Sequence, residues 1–174
     1  GLSRTYQVIN LSWKMTALEN ILVGMHSNLK STFWQSLFHT KSQREEEQAA
    51  LARARELLDF VGLRDRENEL ASSLSYGEQR LLEITRALAC QPKLLLLDEP
   101  AAGMNSVEKE ELDTMLRSII DRGVTILLIE HDMKLIMGVS DYIYVLENGT
   151  LIAQGLPEQV QNDPDVIRAY LGGE

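Results

Sequence analysis

The chain holds a single cysteine, Cys90, so no internal disulfide can brace it and an intracellular compartment fits. Cys90 lies in an apolar helical stretch and reads as a small buried residue. Long hydrophobic runs are missing too. The longest, Val124–Ile129, falls far short of the roughly twenty residues that a membrane span needs. No leader pattern precedes the first charged residues. Positive charge is in deficit: 17 Lys and Arg against 26 Asp and Glu leave a net charge of -9, which argues against a nucleic-acid partner. It does not exclude a phosphate ligand held by backbone N–H groups and one or two cations. Internal repeats and low-complexity tracts are absent. What remains is 174 residues that are 44% hydrophobic and 25% charged, enough for one globular domain with its own core.

Three stretches read as strands: Lys93–Pro100, Val124–Asp132 and Tyr142–Glu147. Their apolar runs show little alternation, which predicts a parallel sheet covered on both faces. Helical patterns separate them. Gly77–Ala89 spaces Leu81, Ile84 and Leu88 along one face; Val107–Ile120 does the same with Leu112, Met115, Leu116 and Ile119. The alternation of helix and strand indicates an α/β fold. Asn148-Gly149 then signals a hairpin with a type I′ turn, and Pro157 and Pro164 open two short closing helices. Upstream, a helix follows Thr16 as N-cap, and a long helix over Arg44–Leu63 carries Leu51, Ala54, Leu58 and Val61 inward, ending at Gly62. Its Glu45–Glu47 run reads as a solvated face. Between the two, Phe33, Trp34, Leu37 and Phe38 form either a satellite core or a partner-docking surface.

Chemistry concentrates at strand ends. In "LLLLDEP" Asp98 and Glu99 emerge at a carboxyl strand end, where open α/β sheets bind ligands. With side chains alternating along a strand, one carboxylate can hold a hydrated Mg²⁺ while the other polarises a water. In "IEHD" His131 stands on the same rim if the two strands are parallel neighbours, able to donate to a terminal phosphate. "LSYGEQR" carries a capping box, Ser75 with Glu78, and a close-approach glycine, Gly77. That is either a well-capped helix or an anion site.

These motifs in this order resemble the ATP-binding cassette (ABC) ATPases. Leu74–Gln79 is similar to the signature motif, Leu94–Glu99 to Walker B, Ala101–Asn105 to the D-loop, His131 to the switch histidine and Arg4–Gln7 to the Q-loop. Tyr76 in the signature, Asn105 in the D-loop, "IEHDMKLIMGVSDYIYVLENG" and the tail from Gly155 to Gly172 are similar to the ATP-binding subunits of bacterial branched-chain amino acid importers. The resemblance implies a P-loop NTPase-type fold and an ATPase using ATP and Mg²⁺. Glu99 would be the general base, with His131 and Gln7 assisting; Asp98 and Gln7 would serve the metal. Ser75, Tyr76, Gly77, Glu78 and Asn105 would contact a nucleotide held mainly by a second cassette, head to tail. Further implied partners are transmembrane permease subunits, with the protein peripheral on the cytoplasmic face of the bacterial inner membrane.

A phosphate loop, G-x-x-x-x-G-K-S/T, is absent, since no Gly-Lys dipeptide occurs. The resemblance therefore implies an N-terminally truncated cassette, inactive alone, with a sheet edge prone to association. Its parts would be a helical subdomain and linker over about 16–72, a catalytic core over 73–154 and a C-terminal extension over 155–174. The rival readings are a non-catalytic partner that lends only its signature helix and a soluble non-transport ABC ATPase.

Overall fold

Capping and apolar spacing place the elements. The computed structural model describes residues 1–5, 7–25 and 41–171. Its elements are β1 (Leu2–Arg4), α1 (Ala17–Met25), α2 (Lys41–Phe60), α3 (Tyr76–Ala89), β2 (Leu94–Asp98), α4 (Ser106–Asp121), β3 (Thr125–Ile129), α5 (Met133–Val139), β4 (Ile143–Glu147), β5 (Thr150–Gly155), α6 (Pro157–Gln161) and α7 (Pro164–Val166). Thr16 caps α1: its hydroxyl accepts from the Glu19 N–H at 3.2 Å while the Glu19 carboxylate accepts from the Thr16 N–H at 2.7 Å. Ser75 and Glu78 form the same reciprocal box at α3, and Asn105 with Glu108 at α4. Gly62 follows α2 with φ of 70°. The Phe33, Trp34, Leu37 and Phe38 cluster lies outside the described residues, as does the end of the tail at Gly172.

β1, β2 and β3 form a parallel sheet in that order, with Leu2 beside Leu94 and Asp98 beside Ile129. One face packs on the helices. Leu95 and Leu97 are buried there, with Ile21, Leu57, Leu58, Leu82, Ile84, Leu112, Leu116 and Ile119 around them. Fully burying each such side chain contributes about 1.5–3 kcal/mol. α1 packs on α3, and residues 15–17 are pinned by hydrogen bonds to residues 69–71. Cys90 proves to be the half-buried C-terminal cap of α3, its thiol donating to the Gly24 carbonyl.

Two expectations fail. The sheet is not covered on both faces: Leu2, Leu127 and Ile129 are 64%, 54% and 57% exposed, and in register with them Leu94 and Leu96 are only half-buried. Nor does the third strand join the parallel sheet. β4 pairs only with β5, antiparallel, in a separate two-stranded sheet. The reason is local. Asn148 and Gly149 both adopt positive φ, 49° and 81°, so the tight turn returns the chain onto β4. Ile143 and Val145 point into a second small core with Val160 and Val166, while Tyr144 and Leu146 are exposed.

Candidate functional site

Parallel pairing of β2 with β3 puts their carboxyl ends side by side. Asp98, at the end of β2, lies on the open face of the sheet, and its carboxylate meets the Arg4 guanidinium at 3.3 Å. Glu99 is re-aimed by its backbone rather than by strand alternation. β2 ends at Asp98, and Glu99 takes a φ of 47°, held by its N–H donating to the Ile129 carbonyl at 2.8 Å. A left-handed non-glycine residue costs on the order of 1 kcal/mol, and such positions cluster at functional sites. The Glu99 carboxylate accepts from the Gln7 side-chain amide at 2.9 Å. His131 Nδ1 stands 3.9 Å from the other Glu99 oxygen, and the imidazole is 69% exposed. Gln7, Asp98, Glu99 and His131 thus share one rim.

The loop that carries His131 is fixed by groups that sequence reading passed over. The Glu130 side chain is 1% exposed. One of its oxygens accepts from the Ala101 N–H at 2.8 Å; the other accepts from the His131 and Asp132 N–H groups at 3.0 and 3.3 Å. Asp132 caps α5 and accepts from Lys109 Nζ at 2.6 Å. That hydrogen bond, reinforced by the Leu135 N–H, holds the Asp132 carboxyl below its ordinary value of 3.8 and raises Lys109 above its own. The only sequence signal for Glu130 is a charged residue directly after a strand.

The start of α3 forms a second cluster. Ser75 and Glu78 spend their polar atoms on the capping box. Arg66 lies 3.5 Å from Glu78, and its pKa is raised mainly by its hydrogen bond to Glu69. The Gly77 N–H donates to Glu108 at 3.2 Å, and a Cβ at Gly77 would strike that carboxylate. The Tyr76 ring lies against Gly103, whose φ is 77°. Asn105 uses its side-chain oxygen to cap α4, accepting from Val107 and Glu108. No hydrogen bond or ion pair among the described residues joins Ser75, Gly77 or Glu78 to Asp98, Glu99 or His131. The candidates therefore form two clusters, connected through α3.

Chemically, the rim offers a hard oxygen ligand, a carboxylate base steadied by an amide, and an exposed imidazole. The described residues contain no cluster of three His, Cys, Asp or Glu side chains that could cage a metal alone. Asp98, half-buried at the rim with its carboxylate facing Arg4, fits a Mg²⁺ that would keep most of its waters.

Comparison with known proteins shows what the chain is similar to as a whole. The family described as ABC transporter matches residues 2–102, and the one described as branched-chain amino acid ATP-binding cassette transporter matches residues 150–174. The chain is 50% identical over 173 residues to the high-affinity branched-chain amino acid transport ATP-binding protein LivG of Escherichia coli (strain K12), covering 99% of this chain and 68% of that protein. BraF of Pseudomonas aeruginosa, described in the same words, is 45% identical over 173 residues with the same coverage. Among solved structures, the ADP conformation of MJ1267, an ATP-binding cassette of an ABC transporter, superposes with a TM-score of 0.78 at 33% identity, covering 99% of this chain and 69% of that one.

Proposed function

Because this chain belongs to the ABC transporter family, on the branch of its branched-chain amino acid ATP-binding subunits, we propose that it serves an ATPase that energises uptake of branched-chain amino acids. The observation that carries the reading is the meeting of Gln7, Glu99 and His131 beside Asp98 at the carboxyl rim of β2 and β3.

In this reading water attacks the γ-phosphorus of ATP in line with the bridging oxygen. A new O–P bond forms, the bond to ADP breaks, and the water's proton passes to the Glu99 carboxylate. Gln7 fixes that carboxylate through its amide, so the base faces the water in one orientation. The His131 imidazole is free on its outer side to donate to the γ-phosphate. Asp98 would hold Mg²⁺, which when bound neutralises charge on the β- and γ-phosphate oxygens. Arg4 must yield its contact with Asp98 for that, a modest loss because exposed ion pairs contribute about 0–1 kcal/mol.

These 174 residues hold no phosphate loop, so catalysis needs one from outside them. The start of α3, with Ser75, Tyr76, Gly77 and Glu78, together with Asn105, would close over a nucleotide bound mainly by a second cassette. Among the described residues no helix is long and apolar enough to cross a membrane. Attachment to the cytoplasmic face of the inner membrane would come through permease subunits docked on the helical region over about 16–72. The test is Glu99→Gln in the complete ATPase subunit: turnover should drop at least about 100-fold while ATP binding persists. Unchanged turnover would remove Glu99 from its role.

A further inference from the structure

α3 carries two charged residues on its inward face. Arg80 is 0% exposed and Glu83 2%. They form an ion pair at 2.8 Å, and each also bonds to the segment that holds Gln7. Arg80 Nη2 donates to the Gln7 carbonyl at 2.8 Å; the second Glu83 oxygen accepts from the Asn10 N–H at 2.9 Å. Arg80 Nη2 also donates to the Tyr76 hydroxyl at 3.3 Å, and its guanidinium lies 6.0 Å from the Tyr76 ring centre. Just upstream, the Thr5 N–H is fixed to the Leu96 carbonyl at 3.0 Å.

Net stability does not account for this pair. Desolvating two charges costs about as much as their attraction returns, and apolar residues of similar volume usually replace such pairs without loss. The pair does give position. It clips both ends of the 7–10 segment to α3, so the exposed Gln7 side chain leaves a fixed backbone when it reaches Glu99. It also joins that segment to Tyr76, at the first turn of the helix that opens with Ser75.

We propose that Arg80, locked by Glu83, is a positioning residue for the general base: it sets the place of Gln7, through Gln7 the orientation of Glu99, and through Tyr76 it ties that orientation to the start of α3. The proposal rests on the ATPase reading above. It identifies a mechanical link between two clusters that, among the described residues, share no direct hydrogen bond or ion pair between Ser75, Gly77 or Glu78 and Asp98, Glu99 or His131.

The experiment uses the complete ATPase subunit assembled with its partners. Arg80→Met/Glu83→Leu removes both charges and keeps the volume. Its melting temperature should stay within about 5 °C of the parent's, with KM for ATP within about twofold and kcat about tenfold lower or more. The decisive readout is coupling to Gln7→Ala. If Arg80 acts through Gln7, adding Gln7→Ala to the double variant lowers kcat no further than Gln7→Ala does alone. Multiplying losses, or a double variant with the parent's kcat, would overturn the proposal. Should the double variant fail to fold, Arg80→Lys serves instead. A single ammonium cannot reproduce the guanidinium's fixed fork, so kcat should fall with fold and KM intact, and parental kcat would again overturn the proposal. A parent assembly without ATPase activity would instead defeat the function reading itself, and the proposal with it.

Discussion

Glu130 stands in "IEHD" beside His131 with no role assigned from the sequence, yet three backbone N–H groups converge on it. Replacing it with Gln turns one acceptor oxygen into a donor facing N–H groups. Glu130→Gln should therefore lower unfolding free energy by about 1–3 kcal/mol in a denaturant titration, with a parallel loss of ordering at His131. Asp132 makes the matching pH prediction. Lys109 holds its carboxyl below 3.8 in the folded chain, so the unfolded chain takes up the proton first as pH falls. The stabilisation is full above the ordinary value and is lost as pH drops through the lowered one. Melts from about pH 6 to pH 2 should show Asp132→Asn less stable than the parent at the upper end and converging with it at the lower. Asp98, Glu99 and His131 were legible because carboxyl strand ends in an α/β chain are where ligands bind. Glu130 was not, because its partners include a backbone N–H 29 residues away in sequence. The burial of Arg80 and Glu83 was not legible either: the stripe of Leu81, Ile84 and Leu88 leaves Glu83 on another side of a helix that the fold buries nearly all round.

Helices were the most legible elements, since their caps are written in consecutive residues. α3 opens at Tyr76, directly after the N-cap Ser75 that the sequence predicts, and α4 opens at Ser106, one residue before the expected Val107. Ser75→Ala should cost about 1 kcal/mol in a urea melt, because the Glu78 N–H loses its acceptor and the reciprocal box opens. The hairpin was legible for the same reason, through Asn148-Gly149. Strand partners were less so. Tyr142–Glu147 has the composition of a buried parallel strand, but its partner is chosen by the turn that follows, which brings β5 alongside before any distant strand can compete. At Glu99 the local cause differs from the expected pleat: the residue follows the end of β2 with a left-handed backbone.

For the whole molecule, the bare face of the parallel sheet sets the expected behaviour. Leu2, Leu94, Leu96, Leu127 and Ile129 lie together on it, a composition suited to cover from a second layer. The isolated 174-residue chain should therefore associate as concentration rises, and Leu127→Thr/Ile129→Thr should shift sedimentation velocity toward the monomer. An isolated chain that stays monomeric at all concentrations would contradict this. By calorimetry the same chain should show no micromolar ATP affinity, for want of a phosphate loop. The α/β class and the parallel pairing were readable from residue patterns, whereas an open face is a property of what surrounds a strand and leaves no mark in the strand itself.

The pairing of Leu2 with Leu94 also has a consequence in time. β1 leaves the ribosome about ninety residues before its hydrogen-bonding partner β2, roughly 5–20 s at ordinary rates of synthesis. During that interval α1, α2 and α3 can assemble from nearby contacts, while β1 waits for β2. β2 then arrives into a cleft already shaped by helices, and β1 pairs only after it. β1 thus waits for β2 while the residues between them are made. Pulse-labelled hydrogen exchange during refolding should find the Thr5 amide, bonded to Leu96, protected after the amides of α3.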